Sequence, residues 1–312
     1  MSMKEKNFVS AVIYVHNCES RIKSFLQTVY GQLREHFVKF EIICVDDGSE
    51  DGSQEAIRQV SEEFADTTVT ILKMSYFQGL ELAMNAGMDL AIGDFVYEFD
   101  STIMDYDASL IFAIYQKSLE GYDIVSASSD EKNSPLSSLF YKLFNQFSFY
   151  DYKMQTESFR ILSRRAINRS GSLHKTIPYR KAVYANCGLE HSCVHYTCIG
   201  ASKRSLGKKE KEYRRNLAVD SLILFTDAGY RISVLMTGIM MLAAVFTAVY
   251  TVAIFALGNP VEGWTTTMLF LSFAFFGLFA VLSIVIKYLS ILTNLTFKKQ
   301  QYRFSGIEKI TK

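Results

Sequence analysis

The stretch Val45-Asp46-Asp47-Gly48-Ser49-Glu50-Asp51-Gly52-Ser53 decides how this chain is read. It stands directly behind the apolar run Phe40-Glu41-Ile42-Ile43-Cys44. A strand that ends in paired carboxylates and a Gly/Ser turn fits a sheet edge where a ligand is held, because ligands of open α/β sheets collect at the carboxyl ends of the strands. Acidic residues there suit ribose hydroxyls, a base N–H or a metal better than bare phosphate. The same string also suits a plain strand, an Asx-type turn and a helix N-cap. The flanking sequence favours the ligand edge.

Working outward, Val9–Val15 reads as a strand, Glu19–His36 as a helix, Phe40–Val45 as a second strand and Ser53–Phe64 as a helix. Thr68–Met74 is a third strand, Gly79–Ile92 a third helix and Asp94–Phe99 a fourth strand. Such alternation implies an α/β domain with a mostly parallel sheet and right-handed crossovers. The first strand runs out into Val15-His16-Asn17-Cys18-Glu19, the second into Asp46-Asp47 and the fourth into Glu98-Phe99-Asp100. One strand-end carboxylate is usually a turn former, whereas three polar sets on one edge point to a site.

Charge sharpens the domain plan. The chain has 312 residues with 33 basic and 32 acidic side chains, a balance that gives no reason to invoke nucleic acid. Its five cysteines are scattered and odd in number, which suits reduced thiols. Cys187, Cys193 and Cys198 lie near His191 and His195, but the spacings fit no common zinc site. Nothing at Met1–Asn7 resembles a signal peptide.

The last third is different. Ile232 to Leu257 is an uncharged run of 26 residues and Thr265 to Ile286 another of 22, and about 20 suffice to span a bilayer. Gly258 to Trp264 forms the turn between them. Lys208, Lys209, Lys211, Arg214, Arg215 and Arg231 precede the pair, and Lys287, Lys298, Lys299 and Arg303 follow it. The positive-inside rule puts both ends in the cytoplasm. The expected plan is an α/β domain over 1–215, a juxtamembrane amphipathic helix over 216–231, membrane helices over 232–257 and 264–290, and a cytoplasmic tail over 291–312. The spans carry no acidic residue, so they read as anchor rather than ion path.

The motifs carry a resemblance. VIYVHNCES, IICVDDGSEDGS, SYFQGLELAMNAGMDLAIGDFVYEFD, and SSLFYKLFN with ESFRILSRRAI appear in order and spacing similar to the family-2 glycosyltransferases of GT-A fold. More closely, the chain resembles the polyprenyl-phosphate glycosyltransferases, including dolichol-phosphate mannose synthases and bactoprenol glucosyltransferases. The resemblance implies transfer of a sugar from a UDP- or GDP-sugar to undecaprenyl or dolichyl phosphate at the cytoplasmic (inner) membrane face, in assembly of cell-wall or surface glycan. It also implies partners: the nucleotide-sugar donor, the polyprenyl-phosphate acceptor, the lipid bilayer and further copies of the chain. Site residues follow from it. Val15, Asn17, Glu19, Asp46, Asp47, Ser75 and Gly79 fall at nucleotide-binding positions, and Asp100, Glu157 and Arg160 at catalytic ones, with Arg160 as clamp for the lipid phosphate.

In this fold a divalent cation, Mg2+ or Mn2+, supports the leaving diphosphate from an Asp-x-Asp at the fourth strand's end. Here that motif is Asp100-Ser101-Thr102-Ile103-Met104. Thr102 brings a neutral hydroxyl, and Met104 is a poor ligand for a hard cation. Asp100, Thr102 and Asp105 are the candidate ligands, with Asp107 just beyond. Tyr14 and Cys18 also depart from the family's Pro and Glu. A second function class therefore stays open: a non-catalytic paralogue that binds a nucleotide-sugar or a partner enzyme without turnover.

Overall fold

The computed structural model describes residues 4–131, 155–174, 179–199, 264–297 and 302–311, with scattered helical positions within 138–146 and 212–246. Its strands are β1 (Val9–Val15), β2 (Phe40–Asp46), β3 (Thr68–Met74), β4 (Phe95–Phe99), β5 (Ile124–Ser129), β6 (Phe159–Ser163), β7 (His191–Tyr196) and β8 (Phe304–Thr311). Its helices are α1 (Glu19–His36), α2 (Ser53–Ser61), α3 (Leu80–Leu90), α4 (Leu110–Ser118), α5 (Arg164–His174), α6 (Arg180–Asn186) and α7 (Trp264–Phe297). The strands form one sheet in the order β7-β5-β6-β4-β1-β2-β3-β8. β1 pairs parallel with β2 and β4, β2 with β3, and β5 with β7, while β6 and β8 run antiparallel to their neighbours.

Burial on both faces explains the composition of the central strands. Every residue of β1 is buried, as expected of a parallel strand covered on both sides. α1 buries Ile22, Phe25, Leu26, Val29, Tyr30 and Leu33, a stripe at helical spacing. It packs with α2 and α4 on the face that carries Val9, Ala11, Ile13, Tyr97 and Phe99. α3, α5 and α6 cover the opposite face, around Val12, Ile43, Val45 and Val96. The result is three layers with the carboxyl ends of β1, β2 and β4 at one edge.

Several expected bounds change: β2 runs on to Asp46 rather than Val45, α3 spans Leu80–Leu90 rather than Gly79–Ile92, and β4 begins at Phe95 rather than Asp94. α2 ends at Ser61, because the following Glu62–Phe64 segment turns through short-range bonds to Arg58, Val60 and Ser61 carbonyls. The segment at 291–312 is not an appended tail: α7 continues to Phe297, and Phe304–Thr311 is the sheet's eighth strand, paired with β3 along its length. Glu308 anchors it at 2.9 Å from Arg58 Nε and 2.8 Å from Lys73 Nζ.

α7 is 34 residues long and its sequence has one charged side chain, Lys287. It meets the earlier apolar run at Gly277, where any side chain would collide with the Met240 thioether. Many positions of α7 have no described side chain, and over the described residues alone no helix is long and apolar enough to cross a membrane. Most of 216–263 lies outside the described residues, and with it the expected amphipathic helix and most of the first span.

Packing of α3 on the sheet depends on Gly87, where an added Cβ would stand 2.6 Å from Val45 Cγ2 and closer to Val12 Cγ1. Gly87→Ala is therefore expected to destabilise the domain by about 1–3 kcal/mol, although alanine is the better helix former by about 1 kcal/mol. Thermal unfolding of the full chain checks this; an unchanged or raised Tm would show that α3 has room to shift.

Candidate functional site

β4 builds the centre of the site. Its alternation sends Tyr97 and Phe99 into the core under α1 and leaves Glu98 and Asp100 for the other face. β6 lies antiparallel to β4 with Arg160 directly opposite Glu98, so the two side chains share a face. Arg160 donates from Nη1 to Glu98 at 2.7 Å, from Nη2 to Asp100 at 2.8 Å and from Nε to Glu157 at 3.1 Å. Arg180, the first residue of α6, donates from Nη2 to the other Asp100 oxygen at 2.7 Å and from Nε to Glu81 of α3 at 3.0 Å. Its Nη1 lies 2.9 Å from Glu98 without a hydrogen-bonding angle. Tyr184 donates to Glu98 at 2.6 Å.

Both guanidiniums are 1% exposed and Glu98 is fully buried. Four carboxylates (Glu81, Glu98, Asp100, Glu157) face Arg160, Arg180 and, at 3.9 Å from Glu157, Lys181. Burial alone would raise the Asp100 pKa, but the charges of Arg160 and Arg180 outweigh it and hold the carboxyl well below the usual range. Arg160, the expected clamp for a lipid phosphate, is buried with its donors directed to three carboxylates, because α6 covers this face of the sheet and lays the Tyr184 ring 5.6 Å from the guanidinium.

The strand-end loops are sewn to one another. Asp46 accepts from the Ser49 amide at 3.2 Å and from Gln54 Nε2 at 2.6 Å. Asp47 accepts from the Gln78 and Gly79 amides at 2.7 and 2.8 Å and from the Tyr14 hydroxyl at 3.0 Å. Burial pushes the Asp47 carboxyl up, against the pull of those three donors. Asn17, at φ 47°, accepts the Glu50 amide at 2.8 Å, and Glu19 accepts the Gly52 amide at 3.1 Å. The Val15 carbonyl takes the Asp47 amide, and the Ser75 amide donates to Arg303. Val15, Asn17, Glu19, Asp46, Asp47, Ser75 and Gly79 thus share one edge, and Asp100, Glu157 and Arg160 form one cluster beside it.

The residues do not fit a divalent cation as arranged. Each Asp100 oxygen accepts from a guanidinium. Thr102 is buried but brings only a hydroxyl. Asp105 points elsewhere, accepting from Tyr196 at 2.8 Å, and Asp107 caps its own turn through Ser109. Among the described residues no three His, Cys, Asp or Glu side chains are grouped to hold a metal, the Cys187–Cys198 region included.

The profile described as glycosyl transferase family 2 matches residues 10–172, more than half of the 312-residue chain. The chain belongs to that family. Relatives of this family-2 transferase include the bactoprenol glucosyl transferase of Shigella phage SfV, 26% identical over 85% of this chain and 87% of that one. The undecaprenyl-phosphate 4-deoxy-4-formamido-L-arabinose transferase of Pseudomonas paraeruginosa is 26% identical over 88% and 81%. Among solved structures, glucosyl-3-phosphoglycerate synthase from Mycobacterium tuberculosis, in complex with Mn2+, UDP-glucose and phosphoglyceric acid, superposes with TM-score 0.52 at 14% identity, covering 70% of this chain and 78% of that one. Mannosyl-3-phosphoglycerate synthase from Rubrobacter xylanophilus gives 0.51 at 16% identity, over 70% and 73%. These structures share the fold, a mostly parallel α/β sheet of GT-A kind.

Sequence reasoning missed Arg180, Glu81, Tyr184 and Gln78. Glu98 carried a signal, a charge at an alternating position of an otherwise apolar strand. Asp100→Asn is expected to destabilise the full chain by about 3–5 kcal/mol at pH 7, because it leaves two buried guanidiniums short of an anion. The folded pKa of Asp100 is depressed, so its contribution is complete well above the unfolded value of about 3.9 and fades as pH falls below it. Denaturant melts from pH 7 to pH 3 should show the gap between the two proteins narrowing; a gap independent of pH would contradict the ionic role.

Proposed function

We propose that this transferase moves a sugar from a nucleotide-sugar to a polyprenyl phosphate at the cytoplasmic face of a membrane. The observation that carries the reading is the convergence of the β1, β2 and β4 ends around ionised Asp100, in a chain of this family. The names of the bactoprenol and undecaprenyl-phosphate relatives support the acceptor class. In the reaction, a phosphate oxygen of the acceptor attacks the anomeric carbon, the bond from that carbon to the donor diphosphate breaks, and the nucleoside diphosphate leaves with the bonding pair. The acceptor oxygen is already anionic, so no side chain has to remove a proton. Pairing with Arg160 and Arg180 keeps Asp100 deprotonated and rigid, a preorganised group at the edge where donor and acceptor meet.

Anchoring by the two apolar runs is part of the proposal. β8 pairs with β3, so the chain returns to the domain after the second run. An even number of crossings satisfies that return and a single crossing does not. This supports a hairpin with both flanks on the domain's side, and the basic residues beside the runs support the cytoplasmic side.

The test is an incubation of membranes containing the full chain with a panel of radiolabelled UDP- and GDP-sugars and undecaprenyl or dolichyl phosphate, with and without added Mg2+ or Mn2+. Labelled lipid is expected from one donor, reduced by about 10²-fold or more in Asp100→Asn. No label above membranes lacking the protein, across the whole panel, would overturn the transfer reaction and favour the nucleotide-sugar-binding paralogue, a reading that Thr102 in place of a carboxylate already keeps in view.

A further inference from the structure

The five-residue loop Ser75–Gly79, between β3 and α3, is gripped from three directions. From below, the Asp47 carboxylate holds the Gln78 and Gly79 amides. From the chain that returns after α7, Arg303 pairs with Gln78 through two bonds. Gln78 Nε2 donates to the Arg303 carbonyl at 2.5 Å, and the Arg303 amide donates to Gln78 Oε1 at 2.9 Å. The Ser75 amide donates to the same carbonyl at 3.0 Å. A side-chain amide thus imitates one rung of a β-ladder, where β3 and β8 shift register at Lys73/Met74.

From the chain that leaves the domain before the first apolar run, Tyr213 lays its ring on Gly79. No side chain fits there: the Tyr213 ring blocks the Cβ position, and Gly79 has φ +92°, a conformation costly to other residues. Tyr213 also meets the Phe77 ring edge-on at 6.3 Å, and Phe77 in turn lies 4.8 Å from His16 beyond β1. Tyr213 is half-buried, and that burial pushes its hydroxyl pKa up.

Tyr213 and Arg303 flank the whole apolar region, yet both end on one loop whose amides fill Asp47. The geometry points to Gln78 and Tyr213 as positioning residues that make Ser75–Gly79 a joint between the membrane-flanking segments and the donor edge. Any shift of either flank is transmitted to the Gln78 and Gly79 amides, and through them to Asp47. The consequence for donor binding rests on the reading of this edge as the nucleotide-sugar site. The mechanical coupling does not.

Hydrogen exchange on the full chain in detergent separates the two. Gln78→Ala removes both bonds to Arg303, and Tyr213→Ala removes the ring from Gly79; Tyr213→Phe keeps the ring and serves as the conservative control. Either alanine variant is expected to speed exchange of the Ser75–Gly79 amides by about tenfold or more, the effect of losing roughly 1.4 kcal/mol of local protection. Exchange in β1 and β2 should stay unchanged, and Tyr213→Phe should behave like the native chain. In the transfer assay, the alanine variants should raise donor KM by about tenfold with kcat nearly constant, the signature of lost positioning rather than lost chemistry. Unchanged loop exchange in both alanine variants would overturn the joint. Faster exchange with unchanged donor KM would confirm the joint and contradict the donor assignment of this edge.

Discussion

Two guanidiniums without solvent hold this site together. Arg160 and Arg180 take different oxygens of Asp100 and both approach Glu98; Arg160 also takes Glu157 from the segment leading into β6, and Arg180 takes Glu81 from α3. Bringing such charges out of water costs several kcal/mol per ion, which only close, well-directed pairing offsets. The cluster therefore specifies geometry more than it adds stability. β4, β6, α3 and α6 have one arrangement in which every one of these charges has a partner, and Asp100 is fixed at the sheet edge as a result.

That constraint explains why the site differs from a simple metal-binding strand end. A carboxylate shared by two arginines is ionised and rigid, but its oxygens are already committed. With Thr102 in the next ligand position, the edge has the charge pattern of a salt-bridge cluster. The neighbouring strand ends follow the same logic: Asp46 and Asp47 hold loop amides and side chains, so the loops that frame a ligand are tied before any ligand arrives. The ligand edge and the Asx-type turn inferred from Asp46–Ser53 are thus compatible, since the turn-forming bonds are what shape the edge.

Much of this architecture is legible in the sequence because it is local. Val9–Val15 and Thr68–Met74 are apolar runs of strand length, and Glu19–His36 shows its buried stripe at helical spacing, so the bounds of all three are readable from the residues. The convergence of Asp46, Asp47 and Asp100 follows from strand order in a parallel sheet. Other features are not local. Arg180 sits in an undistinguished stretch, and only the packing of α6 against β4 gives it partners 80 residues away. β8 is a mixed-polarity edge strand with Phe304 and Ile307 exposed, so its sequence lacks the alternation of a half-buried strand and reads as a tail. The burial of Arg160 is not legible either, because it depends on α6, distant in sequence, folding Tyr184 over its guanidinium.

The most direct test is a structure of the full chain in lipid with the nucleoside diphosphate of its donor bound. The account predicts the nucleotide at the carboxyl ends of β1, β2 and β4, beside Asp100 and against the Ser75–Gly79 loop, with Arg160 still paired to Glu98 in the sheet. A nucleotide bound away from this edge, or no nucleotide at saturating concentration, would contradict it.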